Sequence, residues 1–205
     1  MASRIRPRTP DRLTGAAREL YDTITAGPRA QGPQHFALTA EDGSLRGPFD
    51  ALLLSPAVGS AMQELGAAIR YRTSFTDRCR ELAILLVAAR WDSAFEREAH
   101  EAIALAVGFD RGEVAAIRAL DLSGFAGVEG VVGATVLALL DGDLDDEQWA
   151  LASSTLGEPA VLELTALVGY YSTLALQLRV FRVGGADCTH HAHGILFHPM
   201  KASVG

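Results

Sequence analysis

Three side chains in one short segment have the types and spacing needed to move protons. In Trp91-Asp92-Ser93-Ala94-Phe95-Glu96-Arg97-Glu98-Ala99-His100-Glu101, Ser93, Glu96 and His100 stand at i, i+3 and i+7. On a helix they project from one face. Glu96 and His100 are i, i+4 neighbours, within hydrogen-bonding reach of each other. A carboxylate that holds an imidazole fixes its tautomer and raises its basicity, and imidazole exchanges protons near neutral pH. Such a pair suits a lyase or isomerase that works without a cofactor. On an exposed helix the same spacing contributes only about 0.2–0.5 kcal/mol and no chemistry. The surroundings favour chemistry here. Phe95, Ala99, Ile103 and Val107 form an apolar stripe beside the pair, and Glu81 opens a neighbouring apolar helix. An ionisable cluster between two such helices is partly desolvated, which is where proton affinities shift.

The elements that must position these residues are helical almost throughout. A helix is predicted from Pro10 to about Ala26. Residues 27–47, rich in Gly, Pro and Asp and containing His35, read as a long loop of the kind that often serves function. Phe49–Leu54 is a short helical turn stopped by Ser55-Pro56. Ala57–Tyr71 is a helix with Val58, Met62, Leu65 and Ile69 on one side. Thr76 or Asp77 caps the next helix, whose stretch Leu82–Ala89 has no polar residue and is expected to be buried all round.

Helices follow over Ser93 to about Val107, Asp110–Leu120, and a segment marked by Phe125, Val128, Val132, Val136 and Leu139. An acidic turn, Asp141–Asp146, leads into a helix near Glu147–Leu156. Glu158-Pro159 opens a last long helix with the stripe Val161, Leu164, Leu167, Tyr171, Leu174 and Leu178. No strand signal exceeds a few residues. The prediction is an all-α fold with one helical domain over 1–184 and a C-terminal tail over 185–205.

Length and composition fit one core-forming domain: 205 residues, 49% hydrophobic and 21% charged. The longest stretch without a polar residue, Leu82–Ala89, falls well short of the roughly 20 residues that cross a bilayer. Met1–Pro10 is basic with no apolar run behind it, so no secretory leader is expected. Two cysteines, Cys79 and Cys188, make no disulfide framework, and a reducing cytoplasm is the expected compartment. The net charge of −7 argues against nucleic acid as a partner. Residues 1–30 carry six arginines against three acids, whereas 92–163 carry fifteen acids against three arginines. The basic start is thus suited to lie on an acidic neighbour, in its own chain or another subunit.

Several chemistries lack their motifs. There is no Gly-x-Ser-x-Gly elbow, no phosphate loop and no His-Glu-x-x-His. Asp141, Asp143 and Asp145 alternate like the start of a calcium loop, but Asp146 stands where Gly is required and Ala152 where Glu is required. The triplet reads as a solvated entry to the following helix. Cys188, His190, His191, His193 and His198 place five possible metal ligands in the tail. This is a matter of composition alone. We read the tail as a flexible segment, or as an arm packing Ile195, Leu196 and Phe197 on a neighbouring subunit, with no resident metal.

Arg80-Glu81-Leu82-Ala83-Ile84-Leu85-Leu86-Val87-Ala88-Ala89, followed by Phe95-Glu96 and His100-Glu101, resembles the carboxymuconolactone decarboxylase family, which shares the alkylhydroperoxidase D fold. The likeness extends upstream to Gly47-Pro48-Phe49 and Ser55-Pro56. Downstream it continues through Ala106-Val107-Gly108-Phe109 and Leu167-Val168-Gly169-Tyr170-Tyr171, covering roughly residues 10–183. The family's peroxidase branch carries Glu and then Cys-x-x-Cys-x-x-x-His. Aligned on Glu81 and His100, its cysteines fall on Ser93 and Glu96. The thiolate that attacks peroxide and the thiol that resolves it are both missing, so thiol peroxidase activity is not expected.

The resemblance implies a cofactor-free proton-transfer enzyme that assembles as a homo-oligomer, a trimer or hexamer. Its catalytic residues would be His100, assisted by Glu96 and Glu81. A decarboxylase of this kind needs a positioned proton donor and an environment that stabilises an anion. Arg72 and Arg90, near the ends of the adjacent helices, are candidates for a substrate carboxylate. Ser93 and Phe49 are further candidates for the substrate pocket, and so are Tyr170 and Tyr171. Consecutive helical residues diverge by about 100°, so only one of the two tyrosines is expected to face the pocket. The leading expectation is a lyase or decarboxylase acting on a small organic acid or lactone. An isomerase, cyclase or dehydratase could use the same relay, and a non-catalytic oligomeric binding protein is the reading from another class.

Overall fold

The apolar run at Leu82 forms the centre of the molecule. In the computed structural model, which describes residues 3–27 and 37–183, it belongs to a helix over Asp77–Arg90. The Thr76 side chain accepts a hydrogen bond from the Cys79 backbone N–H at 3.1 Å and starts that helix. From Leu82 to Ala88 no residue is more than 3% exposed. Each large side chain in the run contributes about 1.5–3 kcal/mol by leaving water.

In chain order a short 3₁₀ turn (Pro10–Arg12) precedes α1 (Gly15–Ala26), α2 (Pro48–Leu52), α3 (Pro56–Tyr71) and α4 (Asp77–Arg90). Then come α5 (Ala94–Ala106), α6 (Arg111–Arg118), α7 (Gly127–Asp141), α8 (Asp146–Leu156) and α9 (Glu158–Phe181). The described residues hold no strand, only an isolated bridge between Thr39 and Leu45. The all-α expectation therefore holds. The predicted first helix divides into the 3₁₀ turn and α1, because Leu13 and Thr14 are extended. Residues 28–36, with His35, and the tail from 184 onward lie outside the described residues.

Helix α4 is wrapped by α5, α6, α7 and α9. The main core joins its side chains to Val132 and Val136 of α7 and to Leu164, Leu167, Tyr171 and Leu174 of the predicted α9 stripe. A second cluster joins Leu20, Tyr21 and Ile24 of α1 to Phe49, Leu52 and Leu53 around α2. Met62 of α3 packs against both. Among the described residues α9 is the one helix long and apolar enough for a membrane span, but half of that window is buried in the fold. The Asp145 side chain caps α8 by accepting from the Gln148 backbone N–H. This agrees with reading that acidic turn as a helix entry. The basic start lies on its own chain: Arg4 donates to the Phe181 and Val180 carbonyls at the end of α9, where cations are favoured.

Helix α3 is rotated partway from the predicted face. Met62 and Ile69 of the predicted stripe pack inward, but Val58 and Leu65 are 58% and 42% exposed, and Gly59, Gln63 and Gly66 are buried instead. That part of the apolar stripe lost to a glycine-bearing face because α9 approaches so closely. A Cβ at Gly66 would overlap the Tyr170 hydroxyl. Gly66→Ala is therefore expected to cost about 1–3 kcal/mol through overpacking, read as a lower urea midpoint at unchanged slope. Unaltered stability would show that α9 yields at this point.

Candidate active site

Helices α4 and α5 are joined by a three-residue reversal. Asp92 takes a left-handed conformation (φ 49°), which a short polar side chain tolerates, and accepts from the Arg97 guanidinium at 2.6 Å. The reversal folds α5 back on α4. Its buried residues are Glu96, Ala99, His100, Ile103 and Ala104, the i, i+3, i+4, i+7, i+8 set of an inward helix face. Two of these five positions, which packing would fill with apolar groups, are ionisable.

His100 and Glu96 are not each other's partner. The His100 Nδ1 instead lies 2.7 Å from Oε2 of Glu81, across the α4–α5 contact. Both side chains are almost fully buried, at 7% and 2% exposure. With the Glu81 carboxylate as acceptor, Nδ1 carries the hydrogen and Nε2 is left for other work. The Tyr171 ring meets the imidazole edge-to-face at 5.3 Å, and Tyr170 meets Tyr171 in the same way at 5.3 Å. The imidazole is therefore fixed by the Glu81 side chain on one nitrogen and by an aromatic wall.

Glu96 is 3% exposed. No well-formed hydrogen bond reaches either of its oxygens among the described residues, the nearby Ser93 hydroxyl making at most a poorly aligned one. Burial raises its pKa to about 8, and the neighbouring Ser93 hydroxyl opposes that shift only in part. At neutral pH it is a carboxylic acid, able to donate a proton. Ser93 is itself buried at the start of α5, with no side-chain cap to the helix.

Glu96 and His100 open onto one pocket of about 360 Å³, counted out to its mouth. Much of that space is open solvent at the mouth, and the enclosed part is small. Phe49 from α2, Phe95 from α5 and Leu174 from α9 form apolar walls. Gly47, at φ 64°, allows the Phe95 ring to lie directly against the backbone before α2. Both Tyr170 and Tyr171 line the pocket, against the expectation that only one would. The site is concave, so residues about 100° apart on α9 can reach adjacent parts of its wall. Glu81 and Ser93 lie behind the lining residues, Glu81 holding His100 and Ser93 flanking Glu96.

Neither predicted arginine lines the pocket. Arg72 is exposed just past the end of α3. Arg90 is exposed and pairs with Asp141. The cation that does line it is Arg70. Burial works against its charge, but the side chain of Tyr171 and the Glu81 carboxylate outweigh burial and hold its pKa above the ordinary guanidinium value. The signal for Arg70 was its place on α3, four residues after Gly66 and seven after Gln63, on the face that turned inward. No cluster of three or more His, Cys, Asp or Glu suited to a metal occurs among the described residues. The histidine-rich tail lies outside them. Cys79 is buried at the start of α4. Comparison with known proteins returns no matching family model and no matching curated protein.

Proposed function

We propose that the chain is a cofactor-independent lyase of the decarboxylase type, acting by proton transfer on a small organic acid or lactone. The observation that carries this reading is the pairing of unlike groups in one pocket. Glu96 is kept as an acid by burial, and His100 is held as a base by Glu81. Two titratable groups whose environments push them to opposite roles are what acid–base catalysis needs. In decarboxylation the bond to the carboxylate breaks and CO2 leaves. The electron pair stays on the substrate carbon, delocalised into a conjugated carbonyl. Glu96 then gives its proton to that carbon, and water restores the proton to Glu96. His100 Nε2 serves a proton removed from or returned to a neighbouring atom.

The likeness to carboxymuconolactone decarboxylases around Glu81, Glu96 and His100 favours the same reading, with an alkylhydroperoxidase D-like arrangement of helices. It also favours a homo-oligomer, a trimer or hexamer. Exposed Val128, Leu151 and Leu162, up to 70% exposed, are suited to a subunit contact.

The test is CO2 release from a panel of β-keto acids and carboxylated γ-lactones by protein treated with a chelator, with an organic hydroperoxide plus dithiol as control. Saturable CO2 release without hydroperoxide turnover is the expected result. Isomerised or dehydrated product without CO2 would move the assignment to an isomerase or dehydratase. Dithiol-dependent peroxide turnover would overturn it.

A further inference from the structure

Among the described residues, six arginines have an acidic partner, and Arg70 is the arginine without one that lines the pocket. Arg18, Arg78, Arg80, Arg90, Arg97 and Arg118 all form ion pairs. Arg70 forms none, although it is only partly exposed and lines the pocket. A guanidinium drawn out of water is costly, and Arg70 has no acidic group within ion-pair distance among the described residues, only Tyr171 beside it and the Glu81 carboxylate acting from farther off. Its position has been built nonetheless: the glycine-bearing face of α3 turns inward and brings residue 70 beside Tyr171 and Glu81. An aromatic and aliphatic wall of Phe49, Phe95, Tyr170 and Leu174 continues from it.

We infer that Arg70 is the anion-binding residue of this pocket and that its ligand is a compact, planar monocarboxylate. This rests on the reading of the pocket as a substrate site and names the substrate's charge and shape. Arg70 presents a planar fork of N–H donors that matches a carboxylate. Arg70 is the arginine that lines the pocket, and Glu96, kept neutral by burial, adds no charge of its own. One carboxylate matches that single guanidinium, whereas a dianion would set its second charge against the apolar wall. The aromatic walls select a flat, conjugated or ring-shaped body, which stacks or packs edge-on against them. A carboxylate seated at Arg70 sets the rest of the molecule in the pocket that Glu96 and His100 also line.

The test uses binding only, so it does not depend on turnover. Benzoate and benzamide have the same shape and differ in charge. Titration calorimetry at pH 7 of the full chain is expected to give benzoate at least about tenfold tighter binding than benzamide, with acetate weaker than benzoate and inorganic phosphate weaker still. Arg70→Gln is expected to weaken benzoate about tenfold or more and leave benzamide unchanged. Retained benzamide binding also shows that the variant is folded. Arg70→Lys, which keeps the charge and loses the fork, is expected to fall between the two.

Equal affinity for benzoate and benzamide, no benzoate binding at millimolar concentration, or benzoate binding untouched in Arg70→Gln would each overturn the inference. A site that binds benzoate through Arg70 but shows no proton chemistry on any carbon acid would contradict the proposed lyase and leave the anion site standing.

Discussion

His100→Gln is expected to lower turnover by about 10²- to 10⁴-fold, the range for removing a general acid or base, while the protein stays folded. Glutamine is chosen for a physical reason. The Glu81 carboxylate is 2% exposed and bonded to His100 Nδ1. A glutamine amide can still donate to it but cannot exchange a proton near neutral pH. His100→Ala removes the donor as well. A buried carboxylate left without its partner costs about 3–5 kcal/mol, so that variant is expected to lose both activity and stability. Comparing the two by steady-state rates and urea unfolding separates chemistry from folding. Glu81→Gln should resemble His100→Gln in rate, because Glu81 acts through His100 rather than on the substrate. His100→Gln retaining activity within about tenfold of the parent would remove His100 from the mechanism.

The second large effect concerns Glu96, in both rate and stability. Its pKa lies at about 8, against an ordinary value of 4.5, because it is buried. As a proton donor it is active below about pH 8, and the rate is expected to fall as pH rises through that value. Glu96→Gln keeps the shape, removes the acid, and is expected to lose about 10²- to 10⁴-fold in kcat.

Stability also falls as pH rises, but over a lower range. Below pH 4.5 the carboxyl is protonated in both folded and unfolded chains, and its contribution is fully present. Between 4.5 and about 8 the unfolded chain ionises while the folded one stays protonated. Stability then falls by about 1.4 kcal/mol per pH unit and levels off above 8. Glu96→Gln lacks this slope, so its advantage over the parent grows from pH 5 to pH 8. Parallel urea midpoints for the two proteins across that range would contradict the burial of Glu96 as a neutral acid.

How much of this was legible in the sequence follows from which forces act locally. The unbroken apolar run of α4 and the stripe of α9 announced burial directly, since burial of many apolar side chains dominates. The pairing of His100 did not. An i, i+4 relation offered Glu96, but the α4–α5 contact brought Glu81 to the imidazole, a partner 19 residues away. The apolar pattern of α3 finds Met62 and Ile69 but not Val58 and Leu65, because Gly59 and Gly66 allow close approach on a neighbouring face. That single rotation also hid Arg70. The arginines chosen from helix ends, Arg72 and Arg90, went to solvent, where guanidinium groups are ordinarily found. Pocket-facing Tyr170 and Tyr171 were both visible as a pair, but their joint access depends on the curvature of the site, which no periodicity encodes.

In the proposed reaction, burial keeps Glu96 as the acid that protonates a substrate carbon, opposite a His100 held by Glu81. The direct measurement is deuterium incorporation from D2O into the reacting carbon of a β-keto acid or carboxylated lactone, followed by mass spectrometry with chelator-treated protein. Parent protein is expected to introduce one deuterium per turnover at neutral pH, at a rate that declines above about pH 8. Glu96→Gln and His100→Gln are expected to fall at least about 10²-fold below it. Incorporation at the parent rate in Glu96→Gln, or no incorporation by the parent at any pH, would contradict the account.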